Sequence, residues 1–407
     1  MIYIFYWDES FHTRKITEKN KSVNIYGENE NDTYISVYIG GARNQISCLL
    51  EDYRIIENEF KKKREYNNEQ EVKGTSFKKR NFTYGLKTFN EEAMFFYSKF
   101  FKTLYDNKTY YHITMISKTE ILIEQSFKGI NVPFIKTEAF YYSLIKFLYN
   151  YRCIPVMLEF FKENIVYEKD LIDKIKDLLS SVIDKTRDIP RKKHETGTLK
   201  ELLYILDNLP VRFDTKLKYS WDYTLVYEGF NKYLKEINIE HSDCYLYMDK
   251  ESHVYQYGLN YSYGKLEEVD SKRKIGVRIS DILSNFIGRI SYAIQADTKE
   301  IGIATTDSIR TEDFERKNLL SQKWFEINQS QFELYKLIEK YFALYGDRYW
   351  SSYTGIYFDN IVKFFSLFQY IDSYETYEEF YKINSFMHTE KYNVYTCRRL
   401  QENFDNM

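Results

Sequence analysis

Asp8, Glu71, Asp249 and Asp281 are the residues of this chain best suited to doing chemistry together. Mg²⁺ and Mn²⁺ are hard cations that prefer oxygen ligands. Ions held by several carboxylates activate a water, neutralise a phosphate and stabilise a leaving oxygen. Without a cation, acids packed together raise one another's pKa at a cost in free energy. A fold that gathers these acids would therefore point to divalent-metal chemistry. Lys73, close behind Glu71, would stabilise negative charge on the phosphorane or orient the attacking water.

Each acid comes with a local pattern that would position it. Tyr3-Ile4-Phe5-Tyr6-Trp7 runs straight into Asp8-Glu9-Ser10, the pattern of a strand buried on both faces. Alternation sends Asp8 and Glu9 to opposite faces, so only one can point at a given site. Asp8 is assigned to the site and Glu9 to structure. The competing reading is a strand that simply ends in an Asp-Ser turn. Extended backbone in Glu71-Val72-Lys73-Gly74-Thr75-Ser76 would put Glu71 and Lys73 on one face. The same stretch also reads as an edge strand with a solvated ion pair. Asp243 to Asp249 is a second largely apolar strand ending in an acid, unless Asp249 caps a turn. Ile275 to Tyr292 reads as a helix with a polar stripe of Arg278, Asp281, Asn285 and Arg289. An unpaired acid buried in so apolar a helix would be costly, which argues for a role of Asp281 near the site. Arg278 either contacts a phosphate or pairs with Asp281 and quenches the site.

Around these stretches, the strongest further strand is Thr33 to Ile39, ended by Gly40-Gly41. Helical spacing marks Leu49 to Phe60, Phe89 to Leu104, Glu138 to Tyr151 and Trp221 to Ile237. Lys15 to Tyr26 could form a hairpin, and Tyr110 to Ile123 reads as one or two strands. Glu168 to Leu206 reads as two helices broken at Asp188 to His194, and a helical pattern recurs over Gln329 to Leu344 and Tyr357 to Phe368. The predicted organisation is an α/β sheet core over 1–150 and 241–298, interrupted by a helical insertion at 151–240 and followed by a helical region at 299–407.

The composition, 43% apolar and 29% charged over 407 residues, is that of a globular protein with a large core. A net charge of -2 gives no bulk positive field, so any nucleic-acid surface must be local. Candidates are Lys61, Lys62, Lys63 and Arg64, then Lys78, Lys79 and Arg80, with Arg278 nearer the acids. Such clusters are usually solvated faces. Brought beside Glu71, they could track a phosphate backbone. Tyr66, Phe77, Phe82 and Tyr84 could stack on unpaired bases. The aromatics Tyr349, Trp350, Tyr353, Tyr357 and Phe358 read as a helical core or a surface for a protein partner or self-association. His241 and His253 read as structural or solvated, and His194 as part of a basic loop, Arg191-Lys192-Lys193-His194. The four cysteines have neither zinc nor redox spacing, no secretory signal precedes the first strand, and no uncharged run is long enough to span a membrane. A cytoplasmic location is the expectation.

Three stretches carry a family resemblance: the strand ending Trp7-Asp8-Glu9-Ser10, then Glu71-Val72-Lys73-Gly74-Thr75-Ser76, and Val269-Asp270-Ser271-Lys272 through Ile279-Ser280-Asp281-Ile282-Leu283. With them, and with Met248-Asp249-Lys250-Glu251 where a further acid is expected, the chain resembles the bacterial family catalogued as domain of unknown function 3800. The resemblance covers roughly residues 1 to 295 and implies an RNase H-like mixed sheet. It implies Asp8, Glu71, Asp249 and Asp281 as ligands of Mg²⁺ or Mn²⁺, and nuclease activity on DNA or RNA. Roles in phage defence or mobile-element biology go with such families. The rival expectation is a non-catalytic binding or scaffolding module, because a fold does not determine function.

Overall fold

The computed structural model describes residues 1–10, 16, 18–19, 22–25, 32–67, 70–160, 168–210, 220–250, 252–298, 311–314, 317–352 and 359–405. Strand β1 (Tyr3–Ser10) runs through the middle of a six-stranded sheet. A short hairpin of β2 (Glu18–Lys19) and β3 (Ser22–Val23) follows it. Strand β4 (Thr33–Ala42) then pairs antiparallel with β1, setting Asp8 opposite Val37. Helix α1 (Arg43–Lys63), β5 (Thr83–Leu86) and α2 (Glu91–Asp106) lead to β6 (Tyr110–Ser117), antiparallel to β4. The predicted strand over Tyr110 to Ile123 stops at Ser117. There the Ser117 hydroxyl accepts the Glu120 N–H at 3.2 Å and starts α3 (Lys118–Ser126).

The chain then leaves the sheet through α4 (Thr137–Tyr151), α5 (Ile154–Glu159), α6 (Glu168–Thr186) and α7 (Lys193–Asp207). These helices bury a core of their own, built from Ile123, Phe140, Leu148, Leu179 and Leu202 among others. The helical insertion thus begins near Ile123, earlier than the residue 151 read from the sequence. Helix α8 (Thr224–Glu236) does not join it. Its Val226, Tyr227 and Phe230 pack on the sheet against Phe5, Trp7 and Tyr38.

Strand β7 (Cys244–Asp249) pairs parallel with β1. After α9 (Ser252–Gly258), β8 (Lys265–Val269) pairs parallel with β7. The strand order is β8-β7-β1-β4-β6 with the two-residue β9 (Trp350–Ser351) at the edge, a mixed α/β architecture.

Helix α10 (Ile275–Thr298) crosses the sheet face opposite α8. Small residues let it approach closely. Ser280 donates to the Tyr6 carbonyl at 3.1 Å and, alternatively, to the Val37 carbonyl at 2.8 Å. A Cβ at Gly276 would come within 2.2 Å of the Tyr6 ring. Helices α11 (Gln329–Phe342), α12 (Asp359–Asp372), α13 (Tyr377–Tyr381) and α14 (Ser385–Asp405) follow. Their Tyr335, Phe342, Phe368 and Tyr392 enter the same core as Phe101 and Phe286. The C-terminal region therefore shares one core with the sheet. Among the described residues, no helix is long and apolar enough to cross a membrane.

Candidate functional site

The sheet register brings two of the four acids together. Trp7 pairs with Met248 across the parallel β1–β7 ladder, so Asp8 and Asp249 follow side by side at the same end. Alternation puts both on the side of Tyr6 and Tyr247, facing α10. Asp281 comes from α10, one residue after the Ser280 that clasps β1. Its Oδ2 accepts the Gly74 N–H at 2.7 Å, and its Oδ1 accepts the Asn285 amide at 2.8 Å. This contact ties the helix to the Glu71–Ser76 stretch. There Lys73 and Glu71 form an ion pair at 3.2 Å.

Asp8 is almost fully buried, at 8% exposed. Burial, then Asp281 and Asp249, hold its carboxyl well above the usual carboxylate range. The Glu9 N–H, donating to Asp8 Oδ1 at 2.7 Å, opposes that rise. Desolvation works against the charge of Lys73. Glu71 outweighs it, with Asp249 and Asp281 behind, so the Lys73 pKa is raised. Asp8 thus feels Asp281 and Asp249, and Lys73 feels Glu71, Asp249 and Asp281.

The donor chemistry suits a hard divalent ion: carboxylate oxygens only, with Glu71 Oε1 buried and lacking a hydrogen-bond partner. Among the described residues, no three His, Cys, Asp or Glu groups are arranged to hold an ion.

Arg278 takes neither of the roles expected for it. Its guanidinium is buried, paired with Glu57 Oε2 at 2.8 Å and donating to the Ser271 carbonyl at 2.5 Å. It stands 3.7 Å from Glu71 Oε1. Glu57 in turn accepts the Val72 N–H at 3.3 Å. Arg278 is therefore an internal brace behind Glu71 and does not reach the surface where a phosphate would lie. Sequence reading missed Glu57. The signal was an acid set among Tyr53, Ile56 and Phe60 on the apolar face of α1.

Glu9 lies on the other face of the sheet, where the Tyr34 hydroxyl donates to it at 2.5 Å. His241 packs on the Tyr263 ring, and His253 is exposed.

The two basic clusters meet. One surface cavity is lined by Lys63, Arg64, Lys78 and Arg80 together with Glu65 and Glu92. Within it Arg64 is neutralised by Glu92 at 2.5 Å. Lys61 lies 3.9 Å from Glu57, Lys62 is exposed, and Lys63 sits 3.5 Å from the Phe95 ring centroid. Lys79 packs over the Tyr292 ring at 4.7 Å. Of the aromatics considered for base stacking, Phe77 and Phe82 are buried in the core, whereas Tyr66 and Tyr84 are half-buried. Tyr349 packs on Tyr233, with ring centroids 4.5 Å apart, and Trp350 lies in β9. Tyr353, Tyr357 and Phe358 lie outside the described residues. No family model, curated protein or solved structure matches this chain.

Proposed function

We propose that the chain is an RNase H-like nuclease that uses a divalent metal to hydrolyse nucleic-acid phosphodiester bonds, as its resemblance to domain of unknown function 3800 implies. One observation carries the reading: Asp8 and Asp249 leave adjacent parallel strands at the same end, and Asp281 reaches them from α10 beside Glu71. Strand order supports it. β1, β4 and β6 run antiparallel in succession, while β7 and β8 add in parallel on the other side of β1. That mixed order is compatible with the RNase H-like mixed sheet that the resemblance implies.

Asp8, Glu71, Asp249 and Asp281 would hold Mg²⁺ or Mn²⁺, which supplies water activation and charge neutralisation at the phosphate. The Gly74 N–H and the Asn285 amide orient the Asp281 carboxylate. Lys73 favours negative charge at the rim. Lys61 to Lys63 and Lys78 to Arg80 would follow the phosphate backbone.

The second reading is a non-catalytic binding module. The Lys73–Glu71 ion pair favours it, because it occupies a carboxylate that a metal would need. Exposed Tyr381, Phe386 and Val394 near the C-terminus would then suit a protein partner.

Calorimetric titration of Mn²⁺ and Mg²⁺ into the wild type and an Asp8→Ala/Asp281→Ala variant separates the two. The enzyme reading expects saturable binding that weakens as the pH is lowered, because the carboxyl of Asp8 is held above its usual range and the ion must displace its proton. It expects the folded variant to lose that binding and to leave labelled DNA and RNA oligonucleotides uncut. No binding by the wild type, with or without oligonucleotide, rejects the enzyme and leaves the binding module.

A further inference from the structure

A cavity of about 260 Å³ lies between the 3-10 turn at Lys79–Phe82 and the second half of α10. It is slightly smaller than the roughly 300–1,000 Å³ of whole small-molecule sites. Lys79, Arg80 and Arg289 line it, together with Tyr84 and Tyr292. Arg289 follows Asp281 and Asn285 on the polar stripe of α10, about 12 Å along the helix from Asp281.

The Arg289 guanidinium is held in place. It donates to the Phe77 carbonyl and stacks 5.2 Å from the Phe82 ring centroid. Neither Arg80 nor Arg289 has a carboxylate partner among the described residues. Partial desolvation, and then the charge of Arg289, push the Lys79 ammonium below its ordinary range. An anion in the cavity would bridge the guanidinium groups of Arg80 and Arg289. Among the described residues one acid lines the cavity, Asp297, and its Oδ2 is turned to the Ser321 N–H at 2.6 Å and the Trp324 indole N–H at 3.0 Å.

We propose that this cavity is a phosphate subsite that takes one nucleotide unit of a single strand, with Lys79, Arg80 and Arg289 on the phosphate and Tyr84 and Tyr292 beside the base. The proposal rests on reading the carboxylate cluster as a phosphodiesterase site, and it sets the path of the strand along α10. An unpaired strand is required because only unpaired bases can stack on tyrosine rings.

The test is fluorescence anisotropy of a labelled oligothymidylate with the full chain in EDTA, where no ion can contribute. The Lys79→Ala/Arg80→Ala variant alters exposed side chains and is checked for folding by circular dichroism. It should bind about tenfold more weakly and show a salt-dependence slope smaller by about 1. Tyr84→Ala should weaken binding about tenfold at unchanged slope, with Tyr84→Phe restoring it. Competition by thymidine monophosphate at similar concentration would assign the subsite to free nucleotides; competition by oligonucleotide alone would assign it to the polymer. Unchanged affinity and slope in the double variant, or no binding of either ligand by the wild type, overturns the proposal. Cleavage is scored separately with Mn²⁺. An active wild type whose binding ignores Lys79 and Arg80 removes the subsite and leaves the nuclease reading intact. Subsite-dependent binding without cleavage removes the nuclease reading instead.

Discussion

At the scale of single residues, neighbours with the same chemistry have opposite fates. Asp8 and Glu9 are adjacent carboxylates, yet Asp8 faces Asp281 while Glu9 is held by Tyr34 across the sheet. Strand alternation makes that split, and it was legible in the sequence. Arg278 was not. Its place on the polar stripe with Asp281 suggested a phosphate contact, but it ends in a buried pair with Glu57. Removing one member of such a pair leaves an uncompensated buried charge. Arg278→Met should therefore lose about 3–5 kcal/mol of stability in urea unfolding, and adding Glu57→Gln should recover part of it. A variant of unchanged stability with weakened oligonucleotide binding would instead return Arg278 to the phosphate.

At the scale of elements, the site depends on how closely α10 sits against its neighbours. Gly74 makes one such close contact beside Asp281, since a Cβ there would fall 2.3 Å from the Asn285 Cβ. Asn285 and the Gly74 N–H also help to orient Asp281. Gly74→Ala should thus separate the Glu71–Ser76 stretch from α10, at a cost of about 1–3 kcal/mol. It should lower divalent-ion affinity even where thermal unfolding shows the protein still folded. Equal ion affinity in the folded variant would show that Asp281 does not need this clasp. Most elements were legible from their periodicity: β1 and β7 as apolar runs, and α10 from its apolar face. The exception over Lys118 to Ile123 is instructive. Its apolar residues fit strand or helix, and the Ser117 cap decides for helix.

At the scale of the whole molecule, the region after α10 completes the main core. The Tyr111 hydroxyl donates to the Phe342 carbonyl at 2.6 Å, and the Leu86 N–H donates to the Tyr335 hydroxyl at 3.0 Å. A chain ended after Thr298 would expose Phe101, Phe286 and Tyr111, which these helices cover. It should unfold without a cooperative transition and bind a hydrophobic dye, as partly packed states do. A sharp calorimetric transition from that truncated chain would instead show that the sheet folds without the C-terminal helices. The sequence by itself determined which residues share a strand face, where the apolar strands run into acids, and which side of α10 is buried. Those properties follow from periods of 2 and 3.6 within a single segment. Only the tertiary structure decided that Asp281 meets the Gly74 N–H, 207 residues away, and that Arg278 meets Glu57, 221 residues away. Strand order and helix packing set those meetings, and no local pattern encodes which distant segment arrives at a given face.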